Sequence, residues 1–512
     1  MRQSQRLVIN ASSVIVKTLV LMAIGVILPP FVILRIGRAN YGFVILISSF
    51  LGFLQMVQMG TPQALNRFIP SELERGDWKS LCSLMSTGFA MLCCCGAVVA
   101  GVVVVAVYHP HWLVKIPDGV APETIQHLII IMGVAAAIDM PLSFGHVAFQ
   151  AHERYVIHSV LQTLGYISRL VLILLLLTAF PGNLLAYAYG TVGGNFLQSL
   201  GIFVVGLFLF RETRLSVRAI SFGTMMKIAR FGLLTLLNTM AMMMFVQADY
   251  IVIGKMIGNE EVTAFNLGVV WVLIVRTYVN AALSVVTPSA ARTEAARRPE
   301  ILREMLLRTT KYGLLASLLP LLFLIPFRYS LMEVWMGPDY SLSAHILLFI
   351  LVGDIFANGV SGGISMLIGV GRLRFLTGAN MIAGVLNIGL GVFLLRIFGL
   401  GVMSFAYAYC LVLAILNGVV LPVYLSQTFR LPLREYLRKA WLRPALAGII
   451  ALPIAFFIHQ VVQPIGWRGI VLCATLFLIG YSIVIFGVAF DIYDRQMLKQ
   501  IMRMAWQRFQ GG

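Results

Sequence analysis

The amino-acid sequence predicts an all-α integral membrane protein that crosses the bilayer about fourteen times. Hydrophobic residues make up 60% of its 512 residues and charged residues 11%, whereas a soluble domain has about 25% charged residues. A helix needs about 20 apolar residues to cross the bilayer, and runs of that length recur along the whole chain. The runs are continuous, as in Leu170–Ala179, so they lack the alternation of a transmembrane β-strand. Helices are therefore predicted throughout.

Fourteen apolar segments are assigned as membrane spans. They cover residues 11–34, 43–60, 82–106, 127–149, 156–180, 186–210, 231–256, 263–287, 311–332, 344–368, 375–397, 402–425, 445–463 and 468–490. The least distinct divisions separate the fifth span from the sixth and the thirteenth from the fourteenth, because only short turn sequences interrupt the apolar run there.

The distribution of basic residues predicts that both termini are cytoplasmic. Of the 38 Lys and Arg residues, 28 fall in the N-terminus, the inner loops, the tail or the inner end of a span, and seven fall in outer loops or at the outer ends of spans. Such an excess is typical of the cytoplasmic side. The net charge of +18 therefore follows from topology, and no nucleic-acid partner is expected. The tail, residues 491–512, has the pattern of a basic amphipathic helix that lies on membrane lipids.

An internal repeat relates the first six spans to the next six. Ile36-Gly37 and Ile257-Gly258 stand at equivalent turns, and Thr61-Pro62 and Thr287-Pro288 stand at equivalent span ends. Spans 4 and 10 also carry four polar residues each at the same spacing, i, i+4, i+7 and i+11, beginning at Asp139 and Asp354. This spacing puts the four side chains on one helical face. Parallel repeats of this kind are a recurrent transporter plan, with the substrate site between the halves.

The repeat predicts two six-helix bundles followed by two additional helices. The predicted parts are an N-terminal lobe (1–210), a cytoplasmic linker (211–230), a C-terminal lobe (231–425), a cytoplasmic loop (426–444), two further transmembrane helices (445–490) and the tail (491–512).

Ionisable residues within the predicted spans are the first candidates for a functional site, because charge at membrane depth is costly and normally faces a cavity or a partner. They are Lys17, Arg169, Arg276, Asp139, Asp354 and Asp249. Packing alone hardly accounts for so many charges on different helices, although Asp249 lies near a span end and fits a helix-end role equally well.

Uncharged polar residues and two prolines complete the set of candidates. Residues expected to line a cavity are Gln55, Gln58, Ser143, His146, Asn280 and Asn358. The alternative for each is interhelical hydrogen bonding, which contributes about 0.6 kcal/mol on average. Pro29 and Pro30 in span 1 are either a passive kink or the bend of an outer gate.

The chain resembles the polysaccharide-transporter branch of the multidrug/oligosaccharidyl-lipid/polysaccharide (MOP) exporter superfamily, which includes O-antigen flippases. The motifs that carry the resemblance are RIGRANYG, ALNRFIPSELERGD, DYIVIGKMIGNEEV and WMGPDY. Val262-Thr263 stands where this family often has Tyr-Gly. The resemblance implies a MATE-like fold, in which two six-helix bundles form a V-shaped cavity and alternate access to it.

The same resemblance implies a function in the biosynthesis of surface polysaccharides, such as lipopolysaccharide or exopolysaccharide. It implies export of a polyprenyl-diphosphate-linked oligosaccharide across the bacterial inner membrane, coupled to a gradient of H⁺ or Na⁺. It also implies a monomer that works without a cofactor or a bound metal, with other polysaccharide-assembly proteins as possible partners.

Residue chemistry assigns roles within this expectation. A lipid diphosphate needs cations, and Arg binds phosphate oxygens in pairs, so Lys17, Arg169 and Arg276 are predicted to hold the head group. The carboxylates at 139, 249 and 354 are predicted to carry the coupling ion or to pair with an Arg. A cation exporter of the multidrug and toxin extrusion (MATE) type remains the alternative, because these acids balance the bases in number.

An enzyme of the same pathway, such as a polysaccharide polymerase or ligase, is a further alternative. Such an enzyme would place its chemistry in a large outer loop, and the longest here, Tyr108–Gln126, has no convincing catalytic constellation. No catalytic residue is therefore predicted. A scaffold for glycosyltransferases would leave the buried charges unexplained. The chain also lacks a phosphate-cradling Gly-Lys-Ser/Thr loop, so we do not expect it to hydrolyse ATP.

Overall fold

The computed structural model describes residues 3–109, 121–152, 154–209, 215–283, 286–491, 494 and 496. All regular secondary structure within these residues is helical, which confirms the predicted fold class. The α-helices are α1 (Gln3–Ile36), α2 (Arg38–Arg75), α3 (Trp78–Tyr108), α4 (Pro122–Leu142), α5 (Phe144–Ala151), α6 (Tyr155–Ala179), α7 (Leu184–Leu209), α8 (Phe222–Met243), α9 (Gln247–Met256), α10 (Asn259–Leu283), α11 (Val286–Ala295), α12 (Pro299–Met336), α13 (Ser341–Gly369), α14 (Arg374–Phe398), α15 (Met403–Ile415), α16 (Leu421–Thr428), α17 (Leu433–Tyr436), α18 (Arg443–Val462) and α19 (Gly466–Val484). Three π-helical segments, Leu416–Val420, Leu437–Leu442 and Ile485–Ala489, continue α15, α17 and α19.

Thirteen helical segments of the described chain are long and apolar enough to cross a membrane. The predicted span that is not among them, 231–256, is interrupted by a turn at residues 244–246 between α8 and α9. The two divisions that hydropathy resolved least are both present. One lies between Ala179 and Leu184, and the other lies between Val462 and Gly466.

Two helices continue well beyond the apolar spans that predicted them. Each of α2 and α12 has 38 residues, whereas the predicted spans 43–60 and 311–332 are much shorter. The predicted span 2 ends at residue 60, but the helix continues through Pro62 and Pro70 as far as Arg75. The helix ends at Gly76, where φ is 70° and the backbone N–H bonds back to Leu73.

The first helix contains both prolines of the predicted gate. It is helical from Gln3 to Ile36, and Pro29 is buried while Pro30 is half-buried. Their role in gating stays a prediction. Beyond Asp491, only Asp494 and Gln496 are described, so the predicted amphipathic tail lies outside the described residues.

The chain contacts divide it into two compact units. Unit 1 comprises 1–270 and 377–405, and unit 2 comprises 271–376 and 406–512. The helix α14 belongs to unit 1, where Gly384 packs against Met244. These units are defined by contacts and not by the repeat, so the predicted lobe boundaries stay a prediction.

Large apolar side chains fill the core of unit 1. Phe144 of α5 and Leu65 of α2 are buried together with Met85 and Leu92 of α3. Small residues let helices approach closely: a Cβ added at Gly60 of α2 would lie 2.6 Å from the carbonyl oxygen of Gly232 in α8. Close backbone contacts of this kind replace the hydrophobic effect as the source of helix association in lipid.

The two additional helices, α18 and α19, pack on α12 within unit 2. Ala451 of α18 and Phe477 of α19 are buried against Leu318 and Phe327 of α12. The hydroxyl of Tyr481 donates to the carbonyl oxygen of Leu315 at 2.8 Å. Other side chains of α18 and α19 are exposed and apolar, as lipid-facing residues should be.

The chain after α19 is held to the start of α12 by a buried ion pair. Lys311 and the hydroxyl of Tyr312 both donate to Asp494, and the backbone N–H of Asp491 donates to the same carboxylate at 2.9 Å. Burial raises the pKa of Asp494, but these donors outweigh burial and leave the pKa lowered.

We expect this carboxylate to make folded-state stability depend on pH. Because its folded-state pKa is lowered, its stabilisation is present above its unfolded pKa of about 3.9 and is lost as the pH falls toward the folded value. Thermal unfolding of the detergent-solubilised protein should therefore lose more stability at low pH in the wild type than in Asp494→Asn. Glu300→Gln, an exposed site, is the control and should follow the wild type. Equal pH dependence in all three proteins would contradict this assignment.

Candidate functional site

A polar cavity of about 480 Å³ lies within unit 1. Its walls come from α1, α2, α4, α5, α6 and α7. Four residues predicted from the sequence line it, namely Gln55, Asp139, His146 and Arg169. A volume of this size is in the range of small-molecule sites, which are about 300–1,000 Å³. This cavity, referred to below as the unit 1 cavity, is the candidate functional site.

Arg169 enters the cavity wall from α6, where α7 approaches closely. A Cβ added at Gly194 of α7 would lie 2.3 Å from the Cα of Arg169, and one at Gly190 would lie 2.9 Å from the Cα of Ile173. Only glycine leaves room for this approach, so the sequence of α7 positions the arginine.

No side chain among the described residues neutralises the charge of the Arg169 guanidinium. It forms no ion pair with a described carboxylate, and its buried Nε has no hydrogen-bond partner among the described residues. A buried polar N–H normally has a partner in the protein or in bound water. An unpartnered cationic donor in a cavity wall is therefore available to a ligand.

Asp139 lies in the same wall and has a local partner. The buried hydroxyl of Ser199 in α7 donates to it at 2.5 Å. Both residues line the unit 1 cavity. Although Asp139 and Arg169 share the cavity, the carboxylate is held by a neutral hydroxyl and the arginine stays uncompensated.

Another part of the polar lining was missed by the sequence analysis. It consists of Tyr187, Thr191, Asn195, Gln198 and Ser199 on α7. The signal was present, because residues 191, 195, 198 and 199 recur at helical spacing and share one face. Each residue alone is uncharged and common in spans, so a search for membrane-depth charges passed over the stripe.

The remaining polar residues of the α4–α5 face bond to other helices. Ser143, at the break between the two helices, donates to Gln58 of α2 at 3.0 Å. Nδ1 of His146 lies 2.8 Å from Nε2 of His158 on α6. Lys17 of α1 lies outside the cavity lining and donates to Gln162 of α6 at 3.0 Å. These contacts join α1, α2 and α4–α6 at membrane depth.

Unit 2 contains a separate charged cluster around Asp354, which is fully buried. Nε of Arg276 donates to the two carboxylate oxygens at 2.8 and 3.0 Å, and Nη2 donates to the same carboxylate and to the hydroxyl of Tyr409. Asn358 adds a long contact of 3.4 Å. Asn280, one turn beyond Arg276, has an exposed side chain.

One fully buried carboxylate of unit 1 has no cationic partner among the described residues. Asp249 of α9 and Asn387 of α14 are both fully buried. The amide of Asn387 donates to the two oxygens of Asp249 at 3.0 Å each. The amide oxygen of Asn387 has no hydrogen-bond partner within the described chain. A carboxylate oxygen and an amide oxygen are therefore both available to a ligand at this place.

The three predicted head-group cations are thus in different surroundings. Arg169 lines the cavity, Lys17 bonds to a neighbouring helix, and Arg276 belongs to unit 2 and holds Asp354. Their convergence on one head group stays a prediction.

The sequence profile of the polysaccharide biosynthesis protein family matches residues 7–294, more than half of the chain. The chain belongs to this family. The resemblance to the polysaccharide branch of the MOP superfamily is confirmed.

Two proteins are similar to this chain over nearly their whole length. The chain is 18% identical to the uncharacterized membrane protein EpsK of Bacillus subtilis (strain 168) over 469 residues, which is 91% of this chain and 92% of that protein. Its fold is similar to the lipid II flippase MurJ in an inward closed conformation, with a TM-score of 0.71, 13% identity and coverage of 96% of this chain and 100% of that one.

A multidrug transporter of the MATE family in an inward-facing conformation is also similar. Its TM-score is 0.65, with 16% identity and coverage of 82% of this chain and 96% of that one. These TM-scores establish a shared fold. The protein is therefore a multi-pass membrane protein of polysaccharide biosynthesis with a transporter fold.

Proposed function

We propose that this protein is a flippase that moves a polyprenyl-diphosphate-linked oligosaccharide across the bacterial inner membrane. In this proposal both termini are cytoplasmic and the chain works as a monomer by alternating access. It is not an enzyme and needs no cofactor. Its product feeds surface polysaccharide assembly, where other assembly proteins are its partners.

The observation that carries this proposal is the uncompensated Arg169 in the unit 1 cavity. A diphosphate is anionic, and a guanidinium binds its oxygens through paired, charge-assisted hydrogen bonds. A site that served only packing would have paired this cation with a carboxylate, as the chain does for Arg276 and Asp354.

The other groups of the cavity suit the sugar part of such a substrate. Sugars present many hydroxyl groups, each of which donates and accepts hydrogen bonds. The cavity offers amides at Gln55, Asn195 and Gln198 and phenol groups at Tyr166 and Tyr187. Amides and hydroxyls can serve as both donors and acceptors, so they bind hydroxyl groups without requiring a charged ligand.

A cation exporter of the MATE type is the second candidate, and one observation favours it. Asp139 lies in the same cavity and its neutral partner Ser199 does not cancel its charge. A cationic drug would need this carboxylate and would be repelled by Arg169. The two functions therefore predict opposite effects of changing these two residues.

Native mass spectrometry of the purified protein tests the proposal. A polyprenyl-diphosphate oligosaccharide and a cationic drug are offered together to the wild type, Arg169→Ala and Asp139→Asn. We expect the lipid diphosphate to be preferred, and that preference to be lost in Arg169→Ala. A preference for the drug that depends on Asp139 would instead establish the cation exporter.

We infer that Asp249 carries the coupling ion, H⁺ or Na⁺. A carboxylate buried without a cation nearby is costly unless it is protonated or binds a metal cation. Asp354 suits this role less well, because Arg276 already balances its charge. Asp139 remains a second carrier in the unit 1 cavity.

Replacing Asp249 by asparagine should uncouple transport from the ion gradient. The amide cannot be ionised, so it has no proton to release, and as a neutral group it holds Na⁺ more weakly than a carboxylate does. In proteoliposomes, an imposed H⁺ or Na⁺ gradient should accelerate substrate flipping by the wild type and not by Asp249→Asn. Asp339→Asn, outside the buried sites, should behave as the wild type does. Full gradient dependence in Asp249→Asn would exclude this residue as the carrier.

A further inference from the structure

A second cavity, of about 860 Å³, lies within unit 2 at the ends of its helices. One wall is the polar start of α12, from Glu304 to Lys311, and another is the segment from Pro432 to Arg443. Asp491 and Asp494 form its floor. In both walls the sequence changes from polar residues to an apolar span. The distribution of basic residues predicts that this side of the membrane is cytoplasmic.

Most of the charges that line this cavity are already neutralised. Lys311 pairs with both aspartates, and Arg443 lies 3.5 Å from Asp491. Arg308 bonds to Glu304 at 2.6 Å and Lys439 bonds to Glu435 at 2.7 Å. Every carboxylate that lines the cavity is thereby engaged by a base.

Two arginines of the cavity remain without a carboxylate. Arg434 and Arg438 line it, are exposed, and form no ion pair or hydrogen bond within the described residues. They stand four residues apart on one helical segment, where like charges repel each other. Six bases against four acids leave the cavity with an excess of two positive charges. An anion bound between the two arginines would remove that repulsion.

Apolar side chains adjoin the same arginines. Leu437 and Leu442, next to Arg438 and Arg443 in the sequence, are 39% and 49% exposed, and Leu446 one turn on is 42% exposed. Exposed leucines beside a basic cavity at the end of a span suit a ligand with an anionic head and hydrocarbon chains. Basic pockets of this kind between membrane helices bind anionic lipid head groups.

We propose that this cavity binds the phosphate group of an anionic phospholipid, with Arg434 and Arg438 as its ligands. The lipid occupies a site of its own, separate from the transport cavity of unit 1. The proposal does not depend on what the protein transports. The same phosphate chemistry is present in free phosphate and in a polyprenyl diphosphate, and the experiment distinguishes these sources.

The test is native mass spectrometry of the full-length protein after delipidation. Equal amounts of phosphatidylglycerol and phosphatidylcholine are offered to the wild type and to the double variant Arg434→Gln/Arg438→Gln. We expect one retained phosphatidylglycerol in the wild type. Each basic residue near a membrane surface contributes about fivefold to such binding, so the double variant should bind about 30-fold more weakly. The control is Arg297→Gln/Arg298→Gln, two exposed arginines outside the cavity, which should bind as the wild type does.

Three results would overturn the proposal. Undiminished phosphatidylglycerol binding by the double variant would show that the arginines are not its ligands. Displacement of the lipid by equimolar inorganic phosphate would show that the site does not need a lipid. Displacement by a polyprenyl diphosphate without sugar, at a lower concentration than phosphatidylglycerol itself, would assign the cavity to the transported carrier. Arg169→Ala should keep its phosphatidylglycerol even if it loses the oligosaccharide, so failure here and failure of the proposed function are distinguishable.

Discussion

Replacing Arg169 by alanine is expected to weaken binding of a polyprenyl-diphosphate oligosaccharide by about 100-fold, because hydrogen bonds to charged groups contribute about 1.5–3 kcal/mol. The arginine has an unpartnered N–H in the unit 1 cavity, so its loss removes a ligand contact and breaks no internal ion pair. Titration of the purified protein with the lipid, followed by native mass spectrometry, measures the change.

Conservative and remote substitutions make this expectation specific. Arg169→Lys keeps the charge but loses the planar pair of donors, so it should fall between the wild type and the alanine variant. Arg396→Ala removes an exposed arginine outside the cavity and should bind as the wild type does. If Arg169→Ala bound the lipid normally, the head-group site would have to lie elsewhere.

Removing Arg276 should destabilise the protein by about 3 kcal/mol, because breaking a buried ion pair leaves an uncompensated charge. Asp354 is fully buried and Arg276 is its only cationic partner among the described residues. Arg276→Ala should therefore unfold at a clearly lower temperature in detergent. Asp354→Asn should cost less, since Arg276 is 28% exposed and retains contact with Tyr409 and with water.

A double-mutant cycle separates this pair from the surrounding packing. With both charges removed in Arg276→Ala/Asp354→Asn, no buried charge remains, so the double variant should lose less stability than the two single variants lose together. If the double variant were as unstable as the sum of the single ones, the ion pair would contribute nothing of its own. Transport by a stable double variant would further show that Arg276 serves as structure and not as a head-group ligand.

Hydropathy and charge could predict the helical architecture because the bilayer imposes it. Lipid leaves no partner for a backbone N–H or C=O, so a long apolar run has to be helical. The division between Ala179 and Leu184 was predicted correctly, although hydropathy shows it only weakly. The same rule does not act outside the bilayer, which is why the predicted span ended at residue 60 although the polar continuation of α2 is helical to Arg75.

The candidate site could be predicted only in part. Arg169, Asp139, His146 and Gln55 were found because polar groups at membrane depth are rare enough to notice. Asn195 and Gln198 were not, because an uncharged amide in a span is as well explained by interhelical hydrogen bonding.

The sequence by itself determined that this chain is a multi-span helical membrane protein and where its charges lie along the chain. Only the tertiary structure decided which buried charges neutralise each other, since Arg276 and Asp354 are 78 residues apart and their pairing depends on how helices pack. It likewise decided that Arg169 faces a cavity without a partner. Sequence periodicity shows only which residues share a face of one helix. Whether a buried charge is neutralised depends on the side chains of the neighbouring helices.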